Sequence, residues 1–294
     1  MSKIYEKYNA EGYDRLINKE AEFWAKFDET NTTFGIPHWI DLQNATFLNT
    51  SKTWPWADPV VENLFFGTYK SKIINECRIS GGKILEIGCG GGWLSLELAR
   101  NGLDVTGLDV SEKRLNIGKQ YAERNNVKIN YIKADINNYE FKESENYDVI
   151  VAWDSLHHFI NLDIIMGKLK EILKPDGFLI YMDHKSNFNR RFMDYLRLYL
   201  LRIPPETNSP FEDIKTNEIV PITMNHFDII EKHSYLCFAK IISEMLCFFN
   251  INISNKFVFS FIKILTNIDT MFCSLFKSRG EFAFVKAKRK IVKE

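Results

Sequence analysis

The sequence has no excess of charge of either sign. It carries 38 lysines and arginines and 38 aspartates and glutamates among its 294 residues, so its formal net charge at pH 7 is zero. A protein without net charge has no overall field that draws it to a polyanion. We therefore expect no nucleic-acid partner.

Paired cysteine motifs are absent as well. The five cysteines include no C-x-x-C pair, and no cysteine stands at a zinc-type spacing from a histidine. Zinc sites that can be recognised in a sequence usually show such spacings. We therefore expect no metal site, and we expect reduced thiols in a cytoplasmic protein.

Long uncharged apolar runs are also missing. A transmembrane helix needs about 18 apolar residues in a row, and charges such as Lys240 and Asp269 interrupt the two most apolar segments, at about 236–249 and 256–276. The N-terminus lacks the apolar core of a secretory signal. Apolar residues in 256–276 recur every three or four positions, which predicts a helix with one apolar stripe. That stripe faces the protein core, an apolar acceptor pocket or the surface of a membrane.

Glycine is scarce, with 15 residues in the chain, but four of them fall within the five positions 88–92. The segment KILEIGCGGG places Glu86 in an apolar strand, then the glycines, and then a helical segment. A turn without side chains lets a ligand reach the unpaired N–H groups at the start of a helix. A dinucleotide-binding fingerprint would continue with glycine at position 93, where this chain has Trp93.

Four more strand-like segments follow the glycine turn. They are DVTGLD, which ends at Asp109, KINYIKADI, which contains Asp135, YDVIVAW, and LKPDGFLIYMDH. Amphipathic segments separate them, and this alternation predicts an α/β fold with a parallel sheet between helices. A carboxylate about 20 residues after the turn stands where a doubly wound sheet binds ribose hydroxyls.

From Lys83 to about Asp183, these motifs resemble the class I S-adenosylmethionine (SAM) methyltransferases. The resemblance implies a Rossmann-like, doubly wound seven-stranded sheet that is mostly parallel, with residues 280–289 as an antiparallel edge strand. Helical extensions would stand at both ends of the chain. We predict an aromatic-rich N-terminal lid in 1–70, the SAM-binding core in 71–186, and acceptor-side helices with the closing strand of the same domain in 187–294. Tyr5, Tyr8 and Tyr13 are candidates to line the lid.

The resemblance also implies a cofactor and its contacts. Glu86 and the glycines would hold the methionine end of SAM, Asp109 the ribose and Asp135 the adenine. The complete predicted cofactor set is Glu86, Gly88, Cys89, Gly90, Gly92, Asp109, Val110, Asp135, Ile136 and Trp153.

The loop after the fourth strand, AWDSLHHFINL, supplies the candidate catalytic residues Asp154, His157 and His158. Ligands of open α/β sheets bind beyond the carboxyl ends of the strands, and histidine is the usual general base near neutral pH. The spacing of Asp154 and His158 is similar to that in phosphoethanolamine-type N-methyltransferases. The alternative is that both histidines only anchor the next helix. His184 is a further candidate on the acceptor side.

The predicted reaction is methyl transfer to an oxygen or nitrogen atom of a small-molecule, sugar or lipid-linked acceptor. Two other functions remain open. The chain could bind SAM without catalysis, or it could be another transferase of the same fold, such as an aminopropyltransferase. The sequence does not predict the oligomeric state.

Overall fold

The structure, a computed structural model, describes residues 12–30, 58–142, 144–185, 191–192, 195, 198–199, 209–211, 217–276 and 280–290. Within these ranges, seven strands form one sheet. The strands are β1 (Lys83–Ile87), β2 (Asp104–Asp109), β3 (Asn130–Lys133), β4 (Tyr147–Trp153), β5 (Leu173–His184), β6 (Phe227–Tyr235) and β7 (Phe282–Arg289). Their order in the sheet is β3-β2-β1-β4-β5-β7-β6.

Helices pack on both faces of this sheet. Those whose bounds the structure gives are α1 (Tyr13–Thr30), α2 (Pro59–Ser80), α3 (Trp93–Arg100), α4 (Glu112–Arg124), α5 (Leu162–Ile172), α6 (Ile219–His226), α7 (Ala239–Phe248) and α8 (Lys256–Leu275). A short 3-10 helix, Leu156–His158, follows β4.

Alternating strand residues supply the core on each face. Ile84 and Val149 pack with α2, α3 and α7, whereas Leu85 and Ile150 pack with α5 and α6. All four side chains are fully buried. Neighbouring side chains of a strand point to opposite faces, so strands covered on both sides must be apolar throughout. The doubly wound architecture predicted from the sequence is therefore confirmed.

The closing strand β7 is antiparallel to β5 and to β6, and it lies between them, one strand in from the edge. The burial of the residues in β7 and β6 explains this position. Phe284, Val285 and Ala287 are fully buried, as both faces of an inner strand require. β6 instead alternates between buried and exposed residues, which suits an edge strand. The predicted outermost position of β7 is therefore corrected by one place.

Helix α2 begins in the segment predicted as the N-terminal lid and ends in the predicted core. Its first residue is Pro59, and the side chain of Asp58 accepts a hydrogen bond from N of Val60 at 3.0 Å. Proline fits the first turn because the N–H it lacks would have had no partner there, and aspartate is a favourable N-cap. The division into 1–70 and 71–186 remains a prediction, and α2 spans its boundary.

Helices α7 and α8 are joined by one buried carboxylate. Asp269 of α8 is fully buried and accepts hydrogen bonds from N of Cys237, Phe238 and Ala239, at 2.9 to 3.1 Å. These amides belong to the start of α7, where helices have unpaired N–H groups. In the sequence analysis, Asp269 was only a charge that interrupts an apolar run. In the structure, its hydrogen bonds hold α8 against the start of α7.

The opposite side of α8 is exposed and apolar. Its exposed large side chains are Phe257, Phe261, Ile264, Ile268, Met271 and Leu275. By length and composition, α8 is long and apolar enough to cross a membrane, although 22% of its most apolar window is buried within the protein. This measure tolerates two charged residues, so it does not contradict the observation that the segment has no uncharged run of about 18 residues.

Candidate active site

The turn between β1 and α3 has a backbone conformation that favours glycine. The φ angles of Gly88, Gly90 and Gly92 are 64°, 54° and 74°, values that residues with a side chain rarely adopt. Space is restricted too, because a β-carbon on Gly88 would lie 2.6 Å from the β-carbon of Ser155. The three glycines thus let the backbone turn sharply into α3.

A carboxylate at the end of β2 fixes this turn. Oδ2 of Asp109 accepts a hydrogen bond from N of Gly90 at 2.8 Å, and Oδ1 accepts one from N of Ser111 at the same distance. Because β1 and β2 are parallel neighbours, their carboxyl ends lie side by side. The structure therefore brings together the glycine turn and the carboxylate predicted to bind ribose. Val110 follows directly and is half-buried.

Glu86 lies beneath the turn in a buried position. One of its carboxylate oxygens accepts a hydrogen bond from the hydroxyl of Ser95 in α3. Burial raises the pKa of Glu86 to about 8, although the hydrogen bonds from Ser95 act against this shift. The Cys89 thiol is buried beside it, and burial, followed by the charges of Glu86 and Asp109, raises the pKa of this thiol well above its usual value. Both side chains are buried at the glycine turn. Their contact with the cofactor stays a prediction.

Asp135, the predicted adenine contact, already accepts four hydrogen bonds. Oδ1 accepts from N and Nδ2 of Asn137, at 3.0 and 2.8 Å, and Oδ2 accepts from Nδ2 of Asn138 at 2.8 Å. The fourth donor is the hydroxyl of Tyr13 in α1, at 2.6 Å. The next predicted residue, Ile136, is buried in the core beneath this loop. Tyr5 and Tyr8 lie outside the described residues.

Helix α1 also reaches the predicted catalytic loop. Oε1 of Glu20 lies 3.0 Å from Nδ1 of His158 and accepts a hydrogen bond from Nε1 of Trp24 at 2.7 Å. The rings of Trp24 and His158 pack edge to face, with centroids 5.4 Å apart. The guanidinium of Arg114 lies 5.6 Å from the Trp24 ring, on the other side of the site. One helix therefore spans the ends of the site predicted for cofactor and acceptor.

Trp153 stands in a buried aromatic cluster that already contains a cation. Its ring packs edge to face against Trp93 and Phe66, with centroids 5.1 and 6.2 Å away. The ammonium group of Lys70 lies 4.5 Å from the centroid of Trp93 and 5.6 Å from that of Trp153, and it forms a buried ion pair with Glu62. Trp153 belongs to the predicted cofactor set, and in the structure the cation beside its ring is Lys70.

Two histidine–aspartate pairs stand at the ends of β4 and β5. Nδ1 of His157 lies 2.7 Å from Oδ1 of Asp183, and Nδ1 of His184 lies 2.6 Å from Oδ1 of Asp154. Asp154 has a φ of 51°, which is strained for a residue with a side chain. Burial alone would raise the pKa of Asp154, but the charge and hydrogen bond of His184, with smaller effects of the other two histidines, lower it below its usual range.

Asp183 organises the loop that carries the histidines. It is 1% exposed, and its carboxylate accepts hydrogen bonds from N of Ser155, Leu156 and His184, at 2.7 to 3.1 Å. The Asp183 side chain thereby joins the end of β5 to the loop after β4. Asp183 was not among the residues predicted to form the site.

A buried tyrosine completes this region. The hydroxyl of Tyr235 is buried and has no hydrogen-bond partner among the described residues. Burial raises the pKa of Tyr235, and the charges of Tyr69, Asp154 and Asp183 are among those that raise it further. Tyr235 ends β6, and sequence reasoning missed it because nothing in the sequence indicates that this edge strand reaches the catalytic loop.

Comparison with known proteins finds a methyltransferase-like core. A domain family described as "Methyltransferase domain" matches residues 84–177, the region that holds the glycine turn and strands β1 to β4. This part of the chain is therefore similar to a methyltransferase domain. The match agrees with the SAM cofactor predicted from the glycine turn and the carboxylates.

Curated relatives match about half of this chain. The "Ubiquinone biosynthesis O-methyltransferase" of Shewanella pealeana is 31% identical over 153 residues, which cover 50% of this chain and 63% of the relative. The protein of the same name from Actinobacillus pleuropneumoniae is 33% identical over 150 residues, covering 48% and 62%. The match thus spans less than two thirds of each relative.

Solved structures share the fold of this chain. The PH0226 protein of Pyrococcus horikoshii has a TM-score of 0.52 at 14% identity, covering 76% of this chain and 90% of the other. The [4+2]-cyclase SpnF also has a TM-score of 0.52, at 13% identity, covering 91% and 96%. Because a cyclase shares the fold, architecture alone does not identify the reaction.

Proposed function

We propose that this protein transfers the methyl group of SAM to a hydroxyl oxygen of a small-molecule acceptor. The observation that carries the proposal is the glycine turn held by Asp109 at the carboxyl end of the sheet, directly beside the loop that bears His157 and His158. A donor site and an acid–base group are the two parts that methylation of a hydroxyl requires.

The charges of the site fit SAM. SAM carries a cationic sulfonium and an ammonium group, and the carboxylates of Asp109 and Asp135 lie at the carboxyl ends of β2 and β3. Glu86, at the end of β1, has a raised pKa without a ligand, and a cation bound beside it would favour its ionised form. Asp109 would hold the ribose, the turn from Gly88 to Gly92 the methionine end, and Asp135 the adenine. The methyl group of SAM is already activated by the positive sulfur, so the protein has to orient the acceptor, exclude water and remove a proton.

His158 is the side chain that we assign as the base. Oε1 of Glu20 lies 3.0 Å from Nδ1 of His158, as an ion-pair contact without the geometry of a hydrogen bond. A negative charge on this side of the ring favours transfer of a proton to Nε2 on the other side. His158 would accept the proton of the acceptor hydroxyl as the hydroxyl oxygen takes the methyl group supplied by SAM, and S-adenosylhomocysteine would be the other product.

The relatives support oxygen as the acceptor atom, because their names describe O-methyltransferases. The two other functions predict different results. A binding protein without catalysis would bind SAM with no turnover. An aminopropyltransferase would use decarboxylated SAM and leave a hydroxyl acceptor unmodified.

Calorimetry followed by a turnover assay tests the proposal. We expect binding of SAM and S-adenosylhomocysteine but not of NADP, and formation of S-adenosylhomocysteine with hydroxyl acceptors, tested as a panel of diphenols, sugars and amines. Absence of SAM binding would refute the donor site. SAM binding with no turnover on any hydroxyl acceptor would refute the reaction.

Two single histidine substitutions test whether His158 is the base. His158→Asn should lower kcat by about 10² to 10⁴, the usual contribution of general base catalysis, and leave the Kd for SAM unchanged. His226→Asn is the matched control, because His226 also pairs with a carboxylate, Asp163 at 3.0 Å, but lies on α6. Equal rates in the two variants would remove His158 from the mechanism.

A membrane-facing position for α8 is the second part of the proposal. The exposed charged side chains of the helix are Lys256 and Lys263, because its single carboxylate, Asp269, is buried. A helix with an apolar stripe and only positive exposed charges suits the surface of an anionic bilayer, where it lies in the plane of the interface. We therefore propose a cytoplasmic protein that contacts membranes through α8 and accepts substrates with an apolar or lipid-linked part.

Vesicle sedimentation tests this position. We expect the protein to sediment with vesicles that contain phosphatidylglycerol, and less with pure phosphatidylcholine. Replacing Phe257, Phe261 and Ile264 by serine should abolish the binding. Ile79→Ser, which changes an equally exposed apolar residue on α2, should not. Dimerisation that the triple variant abolishes, without vesicle binding in the parent, would show that a second copy covers α8 instead.

A further inference from the structure

We propose that the two histidine–aspartate pairs form a binding site for one divalent metal ion of the zinc type. The four side chains are Asp154, His157, Asp183 and His184, and each offers one ligand atom; these atoms all lie within 4.8 Å of one another. Zinc takes imidazole nitrogen and carboxylate oxygen as ligands, usually four, at about 2.0 to 2.2 Å. The expectation of no metal site came from spacing along the chain, and these ligands come from the ends of two neighbouring strands.

The charge of the group matches a dication. With neutral imidazoles the four side chains carry two negative charges, both from carboxylates. A further carboxylate, that of Glu281, has its Oε1 3.8 Å from Nε2 of His184 and 2.6 Å from Nζ of Lys240. Glu281 is therefore already balanced by a lysine. A metal ion takes the place of the proton between the two members of each histidine–aspartate pair, and in the neutral imidazole that proton moves from Nδ1 to Nε2.

One side of the group is open and the other is closed. The side chains of His157 and Asp183 are 3% and 1% exposed, whereas those of Asp154 and His184 are 36% and 22% exposed. An ion held here keeps a coordination position toward solvent, as catalytic zinc sites do.

The role of the ion rests on the proposed function. A bound cation lowers the pKa of a hydroxyl that it contacts. The acceptor hydroxyl at the open position would give up its proton more readily, and His158 adjoins the group to receive it. The metal site would thus select acceptors with an oxygen atom at the reacting position over amines.

Metal titration of the full, untagged chain tests the site. After dialysis against EDTA, we expect calorimetry with Zn²⁺ and elemental analysis to give one zinc per chain, with weaker binding of Mg²⁺. Asp154→Asn and His184→Asn should each lower zinc affinity at least tenfold. His233→Asn is the control, because His233 also pairs with a carboxylate, Glu231 at 2.6 Å, on the exposed strand β6.

The outcomes separate this site from the proposed function. SAM binding is measured on the same samples, and it should be equal in parent and variants. SAM binding without zinc binding would contradict the metal site and support the donor site. Zinc binding without SAM binding would support the metal site and contradict the donor site. Zinc affinity that is equal in parent, Asp154→Asn and His184→Asn would place the ion elsewhere and also overturn the inference. Circular dichroism of each variant confirms that it is folded.

Discussion

The hydroxyl of Tyr13 donates a 2.6 Å hydrogen bond to Oδ2 of Asp135, a residue 122 positions further along the chain. An ionised carboxylate has about four acceptor positions, and Asp135 uses four. Three of its donors come from Asn137 and Asn138 in its own loop. Tyr13 is the donor that can leave without disturbing that loop.

Removing this hydroxyl should strengthen cofactor binding. If the adenine amino group binds Asp135, it must displace the Tyr13 hydroxyl. Tyr13→Phe should therefore lower the Kd for SAM by about tenfold. This factor corresponds to about 1.5 kcal/mol, the smallest usual free energy of a hydrogen bond to a charged group. Calorimetry measures this, with Tyr121→Phe on α4 as the control. Weaker binding by Tyr13→Phe would instead show that Tyr13 stays bound above the cofactor.

Asp109→Ala should weaken SAM binding without unfolding the domain. The variant loses the hydrogen bonds expected to the ribose and the bond that holds Gly90, together about 1.5 to 3 kcal/mol or more than tenfold in Kd. Asp104→Ala, at the exposed start of the same strand, should bind SAM as the parent does. An unchanged Kd for Asp109→Ala would exclude the predicted ribose contact.

Glu86 should make the protein without cofactor less stable as pH rises. Its pKa is about 8 in the folded protein, against an ordinary value of 4.5. Between these values the folded state keeps a proton that the unfolded state has lost, so the free energy of unfolding falls by about 1 kcal/mol per pH unit and levels off above pH 8.

Glu86→Gln tests this dependence because glutamine is neutral and similar in shape. The variant should match the parent near pH 4.5 and be more stable than the parent at pH 8.5, as measured by urea denaturation. Glu123→Gln, on the exposed side of α4, should follow the parent at both values. Parallel curves for parent and Glu86→Gln would contradict a raised pKa.

Asp269→Ala should cost about 3 kcal/mol of folding stability. It leaves three backbone amides at the start of α7 without their acceptor, and each buried unpaired donor costs about 1 to 3 kcal/mol, partly recovered by water. Thermal or urea unfolding measures the loss. Asn267→Ala, two residues away and exposed on the same helix, should change stability by less than about 0.5 kcal/mol.

The cofactor side of the site could be predicted because its signals are local. The glycine turn and Asp109 follow their strands directly, and parallel pairing of β1 and β2 brings them together. The strand order, and hence the inner position of β7, could not be predicted, because β6 and β7 are separated by α7 and α8 and either could have formed the edge.

The acceptor side was predicted less well because its residues meet through pairing of distant segments. His157 was a candidate, but its partner Asp183 is 26 residues away at the end of another strand. Glu20 reaches His158 from a helix whose position no motif indicates. A signal for Asp183 did exist: β4 and β5 were both predicted, and polar residues at the ends of neighbouring parallel strands lie close together.

Helix α1 touches Asp135 through Tyr13 at its first turn and His158 through Glu20 and Trp24 further along its 18 residues. A continuous helix moves largely as one body, so releasing one end disturbs the other. If the adenine displaces Tyr13 from Asp135, it would therefore also shift Glu20 relative to His158. In kinetic terms, α1 would couple donor binding to the position of the base.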